Sequence, residues 1–100
     1  LLPSYCRELE AAAHYVRQEY QKTVKVVDQL TRPSRRAAAY RVAALAHSDD
    51  RSARERAVKD LKTIDPEFTI SSFLSLETYK DDSLTNRLKE DLMSVELPIS

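Results

Sequence analysis

The chain has 100 residues, with 16 Lys and Arg against 16 Asp and Glu, no glycine, four prolines, one cysteine and one methionine. A chain of this length buries roughly 65% of its unfolded surface, enough for one modest core, so it forms one domain or part of one. Without glycine it lacks the usual residue for the positive φ angles of tight β-hairpins, and one cysteine excludes an internal disulfide framework, which leaves an all-α fold joined by short polar turns.

The first stretch, residues 4–30, places Tyr5, Leu9, Ala12, Val16, Tyr20, Val24, Val27 and Leu30 at spacings of three and four, which keeps them on one helical face. No Gly or Pro interrupts the stretch. It reads either as one helix about 40 Å long or as two helices meeting near residues 17–19, and periodicity does not choose between them. A single helix would expose its stripe and require a second chain to cover it.

Pro33 ends this stretch, and Ser34 is placed to cap the second helical run. That run, residues 35–46, is dense in alanine (Ala37, Ala38, Ala39, Ala43, Ala44, Ala46), with Tyr40 and Leu45 supplying bulk. His47-Ser48-Asp49-Asp50 makes a polar turn whose aspartates can accept from the free amides of the helix after it. Over residues 51–64, Ala53, Ala57, Leu61 and Ile64 trace one stripe with Val58 beside it. After Asp65-Pro66, Thr69 is placed to cap a short helix carrying Ile70, Phe73, Leu74 and Leu76, which ends at the polar turn Tyr79-Lys80-Asp81-Asp82-Ser83. A last helix, residues 83–95, presents Leu84, Leu88, Leu92 and Val95 as a narrow stripe suited to one neighbour.

The run Ala37-Ala38-Ala39-Tyr40, Ala43-Ala44-Leu45-Ala46, a polar turn, Ala53, Ala57, Leu61 and Asp65-Pro66-Glu67-Phe68-Thr69 resembles a tetratricopeptide repeat. With Tyr79-Lys80-Asp81 and the closing Leu97-Pro98, it is similar to the last repeat and terminal cap of bacterial regulatory proteins that join such an array to an adenylyl-cyclase-like or winged-helix domain. The resemblance covers about two-thirds of the chain. It departs from the family where Ser48 or Asp49 and Glu96 stand in place of the usual glycines, and where 30 residues separate Thr23 from Ala53, against a repeat of about 34. It implies one domain of antiparallel helical hairpins stacked as a right-handed superhelix: a first hairpin or long helix over 1–33, a repeat over 34–66 and a terminal cap over 67–100.

Stacked hairpins make a curved groove lined by the first helix of each pair. The residues proposed to line it are Tyr15, Arg36, Tyr40 and Arg41, since tyrosine and arginine anchor partners most often. The function expected is therefore non-catalytic: protein or peptide binding, or scaffolding, within a larger regulatory protein. The alternative is a dimerisation module that uses Val16, Tyr20 and Val27 to arrange upstream catalytic or DNA-binding domains. A third reading sets Arg32, Arg35 and Arg36 against phosphate, but that needs a basic face. The segment through Arg36 has seven basic residues against four acidic, but from Glu67 onward three stand against seven, and this acidic final third opposes such a face.

Catalytic chemistry finds little support. Cys6 and His14 lie two helical turns apart, about 12 Å along a helix axis and beyond contact for a nucleophile and its base. His47 beside Asp49 and Asp50 fits a capped turn better than a metal site, and a phosphate-binding loop needs glycine. No cofactor is expected. No run reaches the roughly 18 apolar residues of a membrane span and no secretory signal is visible, so a reducing, cytoplasmic setting is expected. A start at Leu1, with Met93 the sole methionine, suggests a segment of a longer protein.

Overall fold

A computed structural model describes residues 4–77, 82–95 and 97–99. These residues form the helices α1 (Ser4–Val16), α2 (Tyr20–Asp28), α3 (Arg35–Leu45), α4 (Arg51–Ile64), α5 (Ile70–Leu76) and α6 (Asp82–Ser94). No strand occurs among the described residues, and none of the helices is long and apolar enough to cross a membrane. The turn expected at Tyr79, Lys80 and Asp81 lies outside the described residues.

The first stretch is two helices, and the break is made without glycine. Gln18 takes a left-handed conformation with φ of 64°. Its N–H donates to the Tyr15 carbonyl at 2.9 Å and the Glu19 N–H to the His14 carbonyl at 2.8 Å. This pair of reversed bonds is the Schellman ending of a helix, whose left-handed position usually holds Gly. A residue with a Cβ costs about 1–2 kcal/mol there. Gln18→Gly is therefore expected to raise stability by about 1 kcal/mol in urea unfolding, less than the full penalty because glycine also loosens the unfolded chain.

The turn folds α2 back along α1, where Thr23 is fully enclosed. Its hydroxyl lies 3.2 Å from the Ala11 carbonyl and 3.3 Å from the Glu19 carbonyl, so the buried oxygen is satisfied across the hairpin. The expected stripe is thereby divided. Val27 packs with Ala11, Val26 and Ala37 in a small core of its own, while Leu9 is half exposed.

The expected caps form. Ser34 accepts from the Ala37 amide at 3.3 Å, Asp50 from Ala53 at 3.0 Å and Thr69 from Ser72 at 3.2 Å, each contributing about 1 kcal/mol. Helix α3 is the central element, with Ala37, Ala38, Ala39, Tyr40, Val42, Ala43, Ala44 and Leu45 all buried. A helix apolar nearly all round must be covered on several sides, and α1, α2, α4 and α6 all pack against it. Its alanines allow the close approach this requires.

Helices α2 and α4 run antiparallel to α3, since Tyr20 at the start of α2 stacks on His47 just after α3 and Arg35 at the start of α3 pairs with Asp65 just after α4. Arg41 on α3 reaches Asp28 near the end of α2 at 3.3 Å and Asp60 on α4 at 3.1 Å. Helices α1 and α3 lie side by side and run the same way, since Glu8 meets Ser34 near their starts and the Tyr15 and Tyr40 rings meet edge-on at 5.5 Å further along.

The chain closes on its own last turn. The Ile70 and Ser71 amides, which α5 leaves free at its start, donate to the Pro98 and Ile99 carbonyls at 2.8 Å each. Leu97 is buried beside Phe68, Ile70 and Phe73 in the main core. The start of α5 and residues 97–99 are thus one structural unit.

Candidate interaction site

Helix α6 lies over the side shared by α1 and α3. Leu88 and Leu92 are fully buried there, and between them Arg87 and Asp91 tie the three helices together. Asp91, only 8% exposed, accepts from the Tyr15 hydroxyl at 2.5 Å and meets His47 Nε2 at 2.8 Å through the same oxygen. Arg87 donates to the Tyr15 and Val16 carbonyls at 3.2 and 3.0 Å, which satisfies acceptors left at the end of α1. Its guanidinium also stands 5.3 Å from the Tyr15 ring centre.

Burial, then the hydrogen bond to Asp91 and the charge behind it, push the Tyr15 phenol far above its ordinary value of 10.0. Tyr15 therefore stays protonated and serves Asp91 as a donor. Because its folded value is raised, the stabilisation is complete below pH 10 and is lost as pH rises beyond it. Urea unfolding between about pH 8 and 11 is expected to show a decline above pH 10 that Tyr15→Phe makes shallower.

The visible side of this network is a pair of stacked rings. The Tyr20 and His47 rings lie parallel, 4.0 Å apart, with His47 held by Asp91 and Tyr20 by the Tyr15 ring at 5.7 Å. They stand at the mouth of a cleft of about 670 Å³ between the α1–α2 turn and the end of α3. Gln18, Gln21 and Lys22 line one side, and Ser48 and Asp49 the other. Beneath Gln18, Glu19 accepts from His14 Nδ1 and Lys22 Nζ, both at 3.0 Å. The His14 bond, then the Lys22 bond, hold its carboxyl below the ordinary value.

The residues singled out from sequence do not share one surface. Tyr15 and Tyr40 are 1% and 0% exposed, so neither side chain meets solvent. Arg36 stands 5.7 Å from the Tyr40 ring centre and places its Nε 3.0 Å from both oxygens of Glu77. The Tyr40 hydroxyl donates to the same buried carboxylate. Arg41 lies apart from these, between Asp28 and Asp60, with its Nε near Asp28 but off the line of a hydrogen bond.

Of the residues considered for self-association, Val27 is buried and Val16 and Tyr20 are half-buried within the folded chain. Of the arginines around Pro33, Arg35 pairs with Asp65 at 3.3 Å and Arg36 with Glu77, leaving Arg32 exposed. His47 turns toward Asp91, while Asp50 caps α4. No group of three residues able to hold a metal occurs among the described residues.

Sequence reading missed Asp91 and His47 as partners. They are 44 residues apart, and neither periodicity nor motif links them. The one available signal was a charged residue directly before Leu92 on the narrow apolar stripe of the last helix. No protein-family model, no curated protein and no solved structure matches this chain.

Proposed function

We propose that this domain is a non-catalytic protein-interaction module: a tetratricopeptide-like stack of two hairpins closed by a capping helix, holding a peptide of its partner in the cleft beside Tyr20 and His47. In this reading it is the cytoplasmic scaffold segment of a larger regulatory protein. The parallel placement of α1 and α3 supports the array, although α2 and α4 begin 31 residues apart, against about 34 in the repeat family.

The observation that carries the proposal is the Tyr20–His47 ring pair. Fixed from behind by a buried carboxylate and open in front, it is rigid before any partner arrives. A preformed aromatic surface loses little conformational entropy on binding, and such surfaces dominate interface energies. Arg36 and Arg41, with side chains 39% and 18% exposed, lie outside the cleft and serve the fold first.

The test is selection of a random peptide library on the immobilised chain, repeated with His47→Gln. Glutamine can still donate to Asp91 but removes the ring. The proposal expects enriched peptides that bind the parent, shift the Tyr20 and His47 amide signals and lose at least about tenfold in affinity to His47→Gln at unchanged melting temperature. No enrichment, or peptides indifferent to His47→Gln, would contradict it.

A further inference from the structure

A second groove, away from the Tyr20–His47 cleft, lies between α4 and the residues Ser94 and Val95 at the end of α6. It encloses about 670 Å³. Val58 and Val95, both half-buried, supply its apolar part, and Arg51, Arg54, Lys59 and Lys62 line it with one anion among the described residues, Glu55. Glu55 is held by Arg51 at 3.0 Å. Arg54 donates to the Ser48 carbonyl, a neutral group, so its charge is not cancelled. Lys59 and Lys62 are exposed and make no ion pair among the described residues.

The chain as a whole is neutral, so this concentration of cations is local. From Arg51 to Lys62 the cations span about 16 Å of helix axis, or three turns, at 1.5 Å per residue.

We infer that this groove receives an acidic amphipathic helix of a partner protein, with carboxylates at helical spacing against Arg54, Lys59 and Lys62 and a short apolar side chain over Val58 and Val95. Charge complementarity and length together select this occupant. A row of cations along α4 beside the apolar Val58 and Val95 matches a segment with one apolar and one acidic face. Nucleic acid fits less well, because no aromatic ring lines the groove to stack a base and the acidic final third of the chain opposes a polyanion. The inference extends the proposed interaction function to a second surface and does not depend on the cleft.

The probe is a fluorescein-labelled peptide of about four helical turns, with glutamate on one face and leucine and alanine on the other. A control peptide replaces every glutamate by lysine, and a single-stranded oligonucleotide of similar charge serves as a third ligand. Fluorescence anisotropy with the whole chain is expected to show saturable binding of the acidic peptide alone. Affinity should fall about tenfold in Lys59→Glu/Lys62→Glu and decline with added salt. Both sites are exposed, so that variant should keep the parent's melting temperature, and Lys59→Gln/Lys62→Gln provides a milder check if it does not. Amide shifts should cluster on α4 and Val95.

Absence of saturable binding, binding indifferent to both double variants, or tighter binding of the oligonucleotide would overturn the inference. Shifts confined to Tyr20 and His47 would overturn it as well, while leaving the proposed cleft in place. Self-association through the groove would appear as a mass increase lost in Lys59→Glu/Lys62→Glu, and would also overturn it, since the occupant would then be a second copy.

Discussion

Tyr40→Ala is expected to destabilise the domain by about 3–5 kcal/mol, the loss typical of removing a fully buried aromatic side chain. The Tyr40 ring is 0% exposed and lies edge-on to Tyr15 at 5.5 Å and to Phe73 at 5.8 Å, so it joins α1, α3 and α5. Its hydroxyl donates to Glu77, the carboxylate that also takes the Arg36 guanidinium. Truncation leaves a cavity and removes one donor from a buried charge, two penalties that act together. Tyr40→Phe separates them. It keeps the ring and is expected to cost about 1–2 kcal/mol. Urea unfolding checks both values. A folded Tyr40→Ala with near-parental stability, which a Tyr40 side chain lining an open groove would give, would place the ring at the surface and contradict the fold described.

Asp91→Ala is expected to cost about 2–4 kcal/mol. The larger part comes from Tyr15, whose hydroxyl is then buried with no acceptor. His47, with its side chain 37% exposed, can turn to water. Asp91→Asn retains an acceptor for Tyr15 and should cost about 1 kcal/mol. Combining Tyr15→Phe with Asp91→Asn should then cost less than the sum of the two, because one removes the donor of a bond whose acceptor the other only makes neutral. The variants also link the network to the proposed function. Without an acceptor behind it, the His47 ring is no longer held parallel to Tyr20, so Asp91→Ala should weaken peptides selected on the cleft even where the domain remains folded.

Much of the fold was legible in local chemistry. Ser34, Asp50 and Thr69 are capping residues placed before apolar-periodic runs, and all three cap. The stretch Arg51–Ile64 forms a helix over the expected bounds because its stripe is regular and a polar turn and a proline bracket it. The break at Gln18 was not decided, since the left-handed position of a Schellman ending carries its usual signature only when glycine or asparagine fills it. Helical spacing places Leu9, Ile64 and Leu76 on apolar stripes, yet they are 50%, 42% and 66% exposed. Ile64 and Leu76 are the last residues of their helices, and Leu9 lies off the face of α1 that Ala11, Ala12 and Tyr15 bury.

The candidate site was less legible than the fold for a different reason. Tyrosine is a residue type that anchors partners, but neighbours distant in sequence enclose both rings, with Asp91 of α6 against Tyr15 and Phe73 of α5 and Glu77 against Tyr40. A residue type that binds well at an interface packs equally well inside a domain. The choice between the two depends on tertiary neighbours that a helical pattern does not encode. The Tyr20–His47 pair was hidden likewise: one residue read as part of a self-association stripe, the other as part of a turn.

The most direct test of the proposed single-copy module is the light-scattering mass of the chain across a hundredfold range of concentration. If α1 and α2 fold back on each other and the domain binds peptides as a single copy, the mass stays at 11.5 kDa throughout. A stable dimer at every concentration, lost when Val16 or Tyr20 is made charged, would contradict that reading and establish the first stretch as the surface that joins two chains.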